Sequence, residues 1–111
     1  MASREPPASQ FDAETYGKIA QLLPPDRLNA HLASFAQLLR EAAEGPVEAE
    51  RLKGSAHKLI SQSGMLGFLE LSDRSRDLEE ACEDEASLDG ALDAFRRSAE
   101  RALRVVQTLS E

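Results

Sequence analysis

The chain has one cysteine, few basic side chains for its acids, and no uninterrupted apolar run long enough to cross a bilayer. Cys82 alone cannot form an intramolecular disulfide, which fits a reducing cytoplasm. No pair of residues has zinc-ligand spacing, so no zinc site is expected. Thirteen Lys and Arg stand against 20 Asp and Glu, a formal net charge of −7, which argues against binding a nucleic-acid backbone. Met1–Pro7 lacks the basic-then-apolar layout of a signal peptide, and a membrane partner is not expected. Much of the acidity falls between Glu41 and Glu50 and between Asp77 and Asp93, beside predicted turns, where solvated helix ends account for it. A chain of 111 residues is the size of one domain.

Residues 1–10 are rich in Pro, Ala and Ser and are expected to be a disordered tail. From Phe11 onward the apolar spacing is helical and no stretch alternates long enough for a strand. A short helix is predicted from Asp12 to Leu23, with Tyr16, Ile19, Ala20 and Leu23 turned inward, ended by Pro24 and Pro25. Pro25 opens a second helix with the stripe Leu28, Leu32, Phe35 and Leu39. Gly45 stops it and Pro46 restarts the chain, with Glu48 and Glu50 near the new N-terminus. The third helix buries Leu52, Ala56, Leu59, Ser63 and Leu66 and is interrupted at Gly67. Phe68, Leu71, Ser75, Leu78 and Cys82 share one face of a fourth, and Cys82 reads as a small buried hydrophobe. Ser87 is the expected N-cap of a last helix with the stripe Leu88, Leu92, Phe95, Ala99, Ala102, Val106 and Leu109. The fold class is therefore all-α: an antiparallel up-and-down four-helix bundle with a short additional N-terminal helix.

His57 is the most informative residue. It lies about 120° around the third helix from the centre of the buried stripe, at the edge or outside of the bundle. Glu50, Lys53, Gly54, Ile60, Ser61 and Gly64 share its face within one or two turns. Glycine inside a helix is either tolerated or marks a close approach, and two around one exposed histidine favour an approach. Ile60 fits the margin of the core and also the apolar contact of a docking surface. A catalytic triad needs a nucleophile and an orienting carboxylate, and Ser61 is the only hydroxyl nearby on that face. A neutral imidazole nitrogen is also a nucleophile toward phosphorus. That role requires exposure and room, while a partner supplies the metal and electrostatics.

His57, Leu59, Ser63, Gly64, Leu66 and Gly67, followed by Phe68, Leu71, Leu78 and Glu79, resemble the signature of histidine-containing phosphotransfer (HPt) domains of bacterial phosphorelays. The resemblance spans residues 26–109 and implies a single HPt-like bundle over 11–111. By it, His57 would take a phosphoryl group from a receiver-domain aspartate and pass it to another receiver. The partners implied are response-regulator receiver domains and a hybrid histidine kinase. Mg²⁺ would sit on the receiver, so the domain would need no metal or other cofactor of its own, and it would be a cytoplasmic monomer without autonomous turnover. Docking would surround His57 on the second and third helices. The family's lysine three residues after the histidine is Ile60 here, and the next glycine is Ser61. Lys53, one turn before His57, is the candidate to supply the missing charge; Lys58 points about 100° away.

His31 is expected to be a boundary residue packed against the bundle, and Arg74, Arg76, Arg96 and Arg97 to pair with surface carboxylates. Beside the phosphocarrier stand two alternatives: a helical module that binds a receiver or kinase without carrying phosphate, and an autonomous enzyme.

Overall fold

The structure, a computed structural model, describes residues 11–110. The predicted disordered tail of residues 1–10 lies outside the described residues. Five helices run along the described chain: α1 Ala13–Leu22, α2 Pro25–Glu44, α3 Ala49–Leu66, α4 Leu69–Ala81 and α5 Glu85–Leu109. None is long and apolar enough to cross a membrane.

Local chemistry sets most of the boundaries. The Asp12 carboxylate accepts from Glu14 N–H at 3.1 Å and from Thr15 Oγ1 at 2.7 Å, which opens α1. The Thr15 bond is the main reason that the Asp12 carboxyl lies below its usual range. Pro25 begins α2 at a position where no N–H is required, and Gly45 ends it. Arg96, reaching from α5, donates Nε–H to the Ala43 carbonyl at 2.8 Å and so satisfies one of the free carbonyls of the last turn of α2.

Gly67 closes α3 at φ +94°, the left-handed conformation that glycine adopts without steric cost. Phe68 N–H bonds the Ser63 carbonyl at 2.8 Å and Gly67 N–H bonds the Gly64 carbonyl at 3.2 Å, the two bonds of a Schellman motif. A side chain at Gly67 has no room, since a Cβ would meet the Asp12 carbonyl oxygen at 2.5 Å. Asp12 N–H in turn bonds the Gly67 carbonyl at 2.6 Å, tying the start of α1 to the end of α3.

The α3 stripe is buried as its spacing predicts: Leu52, Ala56, Leu59, Ser63 and Leu66. In α2 the buried set is Leu32, Phe35, Ala36, Leu39 and Ala42, with Leu28 only half-buried near the N-terminus. In α5 it includes Leu92, Phe95, Ala99, Ala102 and Val106. These side chains, with Phe68, Leu71 and Leu78, form one core cluster. Each fully buried Leu or Phe stabilises the fold by about 1.5–3 kcal/mol. α3 packs on α4, α4 on α5, and α2 touches both α3 and α5, while α1 lies against α3. Phe68 joins the layers, its ring 5.3 Å from Phe35 and 5.0 Å from Phe11.

Four expectations need correction. The N-cap of α5 is Asp84, not Ser87: its carboxylate accepts from Ala86 N–H at 3.2 Å and from Ser87 Oγ at 2.9 Å, so Ser87 sits inside the first turn. Cys82 is half-buried, because α4 ends at Ala81 and Cys82 begins the turn beyond it. Burial still pushes its thiol above the usual range, ahead of the nearby charges. His31 is exposed, one position off the α2 stripe toward solvent. Tyr16, Ile19, Ala20 and Leu23 are only half-buried, since α1 covers one end of α3 instead of entering the core.

Candidate functional site

His57 stands on the solvent side of α3, midway along the helix. Its side chain is 75% exposed, and its Nδ1 lies 2.8 Å from Oε2 of Glu79 on α4. A carboxylate only accepts hydrogen bonds, so Nδ1 must carry the proton. The lone pair of a neutral ring is then on Nε2, the nitrogen not engaged by Glu79. The imidazole is thus paired through Nδ1 while most of its side chain is open to solvent.

A second cross-helix pair lies one turn away. Lys53 Nζ is 2.8 Å from Glu83 Oε2, both side chains being well exposed. The hydrogen bond to Glu83 holds the Lys53 ammonium above its usual range, with Glu50 and Glu79 adding to the effect. The same bond holds the Glu83 carboxyl below its usual range. On α3 the paired residues step forward by four, from Lys53 to His57; across from them the acids step back by four, from Glu83 in the turn after α4 to Glu79 on α4. That is the register of two antiparallel helices. The contact continues at Gly64, where a Cβ would meet Ser72 Oγ at 3.7 Å, and Ser72 Oγ donates to the Ile60 carbonyl at 2.8 Å.

The other residues singled out by sequence surround this pair of rungs. Glu50, Gly54, Lys58 and Ser61 are exposed, and Ile60 and Gly64 are half-buried at the α4 side. A Cβ at Gly54 would touch nothing within 4 Å, so neither glycine is demanded by the protein's own packing. Ser61 is not hydrogen-bonded to His57 among the described residues, and no Ser–His–acid chain is assembled. Met65, two turns after His57 and about 80° around the helix, is 39% exposed, as is Leu69. A cleft of about 810 Å³ between α2 and α5, lined by Ala33, Gln37, Arg40, Leu103 and Gln107, includes none of these residues. Among the described residues, no three His, Cys, Asp or Glu side chains converge so as to hold a metal ion.

Of the dispersed arginines, Arg74 pairs with Asp77, Arg76 with Asp73 and Arg97 with Asp93, all on the surface, whereas Arg96 is occupied by the Ala43 carbonyl. Sequence reasoning missed Glu83 altogether and did not place Glu79 against His57. The available signal was a pair of acids four apart, at the end of α4 and in the turn after it, that can face a Lys and a His four apart on α3.

The chain matches no family model, no curated protein and no solved structure.

Proposed function

We propose that the protein is a histidine phosphotransfer carrier of a bacterial two-component phosphorelay, with His57 as phosphoacceptor. The observation that carries this reading is an imidazole 75% exposed, anchored through Nδ1 by Glu79, with no hydrogen bond to Nε2 among the described residues. In the transfer, the Nε2 lone pair forms the N–P bond as the acyl O–P bond of the receiver's aspartyl phosphate breaks. The bonding electrons leave with the aspartate carboxylate. The proton stays on Nδ1, so the ring becomes a phosphoryl-imidazolium whose positive charge faces Glu79. Reversal hands the phosphoryl group to a second receiver. Glu79 thus orients the ring and balances the charge that develops on it, a form of fixed electrostatic stabilisation.

The receiver would bring the Mg²⁺ and the acidic pocket, leaving this chain no turnover and no cofactor of its own. Gly54, Ser61 and Gly64 offer a low surface for its approach, and Ile60 and Met65 an apolar margin. In this reading α2 to α5 form the antiparallel up-and-down four-helix bundle, with α1 as the additional N-terminal helix. The closed circuit of helix contacts supports that arrangement. The same reading makes the protein a cytoplasmic monomer whose partners are receiver domains and a hybrid histidine kinase, with neither nucleic acid nor membrane.

Incubation with a phosphorylated receiver tests the reading. Wild type should acquire acid-labile, alkali-stable label and His57→Gln none. Receiver binding without label transfer would make the protein an interaction module instead.

A further inference from the structure

The surroundings of His57 are acidic, and one cation on its own face of α3 is already engaged. Glu50, Glu79 and Glu83 all act on the Lys53 ammonium, which is bonded to Glu83 at 2.8 Å. A phosphoryl group on Nε2 would bring oxygens carrying about −2 of charge, only partly offset by the imidazolium ring, into this neighbourhood, and Ile60 contributes no countercharge. Lys58 points about 100° away around the helix from His57, whereas Lys53 is its neighbour one turn back. The pair that Lys53 forms is exposed, with side-chain accessibilities of 42% and 65%, so it breaks at little cost. Its four-carbon stem lets the ammonium swing without moving the backbone.

We propose that Glu83 competes with the phosphoryl group for Lys53, so that the Lys53–Glu83 pair sets how much phosphate His57 holds at equilibrium. Resting on the phosphocarrier reading, this gives Glu83 the part of a positioning residue that acts through Lys53. In the unphosphorylated protein Glu83 parks the ammonium toward α4. When Nε2 is phosphorylated, the dianionic oxygens draw Lys53 away from the singly charged carboxylate. Weakening Glu83 then favours the phosphorylated form, and removing Lys53 disfavours it.

The test uses the whole chain with phosphoramidate as a chemical donor and phosphorus NMR to measure the plateau ratio of phosphohistidine to histidine. Glu83→Gln should raise that ratio about two- to fivefold, the range that one exposed ion pair supports, and Lys53→Gln should lower it by a similar factor. In the Lys53→Gln background, Glu83→Gln should have no further effect. An undiminished Glu83→Gln effect in that background would mean direct repulsion between Glu83 and phosphate, and would overturn the proposal. So would an unchanged ratio in Glu83→Gln alone, with wild-type helicity and melting. A wild type that forms no phosphohistidine with either phosphoramidate or a phosphorylated receiver brings down the carrier reading itself, a result distinct from the other two.

Discussion

Replacing Gly67 with alanine tests how α1, α3 and α4 are joined. Gly67 has φ +94°, where an L-residue pays about 1–2 kcal/mol. The new Cβ would also lie 2.5 Å from the Asp12 carbonyl oxygen, a backbone atom that no side-chain rotation can move. Relief requires the start of α1 to shift, which sacrifices the Asp12 N–H bond to the Gly67 carbonyl, worth about 0.5–1.5 kcal/mol net. The combined loss is about 1.5–3.5 kcal/mol, or roughly 6–28 °C in melting temperature for a domain of this size. Urea unfolding followed by circular dichroism measures it. Gly67→Asn should fall between wild type and Gly67→Ala, since Asn tolerates the left-handed conformation but still carries the Cβ. A Gly67→Ala loss below about 0.5 kcal/mol would refute both the strain and the clash, since that is the size of an ordinary surface substitution.

Three further outcomes follow from the site and its scaffold. Glu79→Ala should slow phosphoryl acceptance about fivefold, one hydrogen bond's worth for a well-exposed ring, with Glu79→Gln intermediate because its amide oxygen still accepts from Nδ1; label-uptake kinetics would show it, and equal rates would remove Glu79 from the mechanism. Gly64→Arg should block transfer from a receiver while leaving the melting temperature nearly unchanged, because a Cβ there makes only an ordinary 3.7 Å contact with Ser72 Oγ; normal transfer would put the docking surface elsewhere. Glu70 is half-buried, and although burial pushes its carboxyl up, the bonds from Arg101 and Ser98 outweigh it and leave it below its usual 4.5. Its ionised form therefore adds stability that is fully present above pH 4.5 and is lost as pH falls through the lowered folded value, so Glu70→Gln should be less stable than wild type at neutral pH, and acid titration should bring the two together.

The helices were legible because one-dimensional spacing is enough to define a buried face. All five residues of the α3 stripe are the ones the four-three-four-three spacing marks. Prolines and glycines located the ends of α2 and α3 for equally local reasons. Errors arose where two local signals competed or where a helix ended early. Ser87 has the right type for an N-cap, but Asp84 three residues earlier captures both Ala86 N–H and the Ser87 hydroxyl. Cys82 continues the α4 stripe in register, yet the helix stops one residue short of it. The half-burial of α1 depends on what it packs against, which its own amphipathic pattern does not contain.

The site divides along the same line. Exposure of His57 follows from its angle on α3, whereas its partner is a matter of register between two helices, and register is set at the turn. Only Gly67 and Phe68 separate α3 from α4, and the Schellman bonds fix both their conformations. From that fixed point Gly64 comes opposite Ser72, His57 opposite Glu79 and Lys53 opposite Glu83. One residue more in the turn would rotate the α4 side chains about 100° relative to α3 and unmake both polar rungs together. The left-handed glycine that ends the histidine helix is thus what brings a carboxylate to Nδ1, ten residues upstream of the turn. The spacing from His57 to Gly67 is physically a statement about the distance from an exposed imidazole to the turn that aligns its partner.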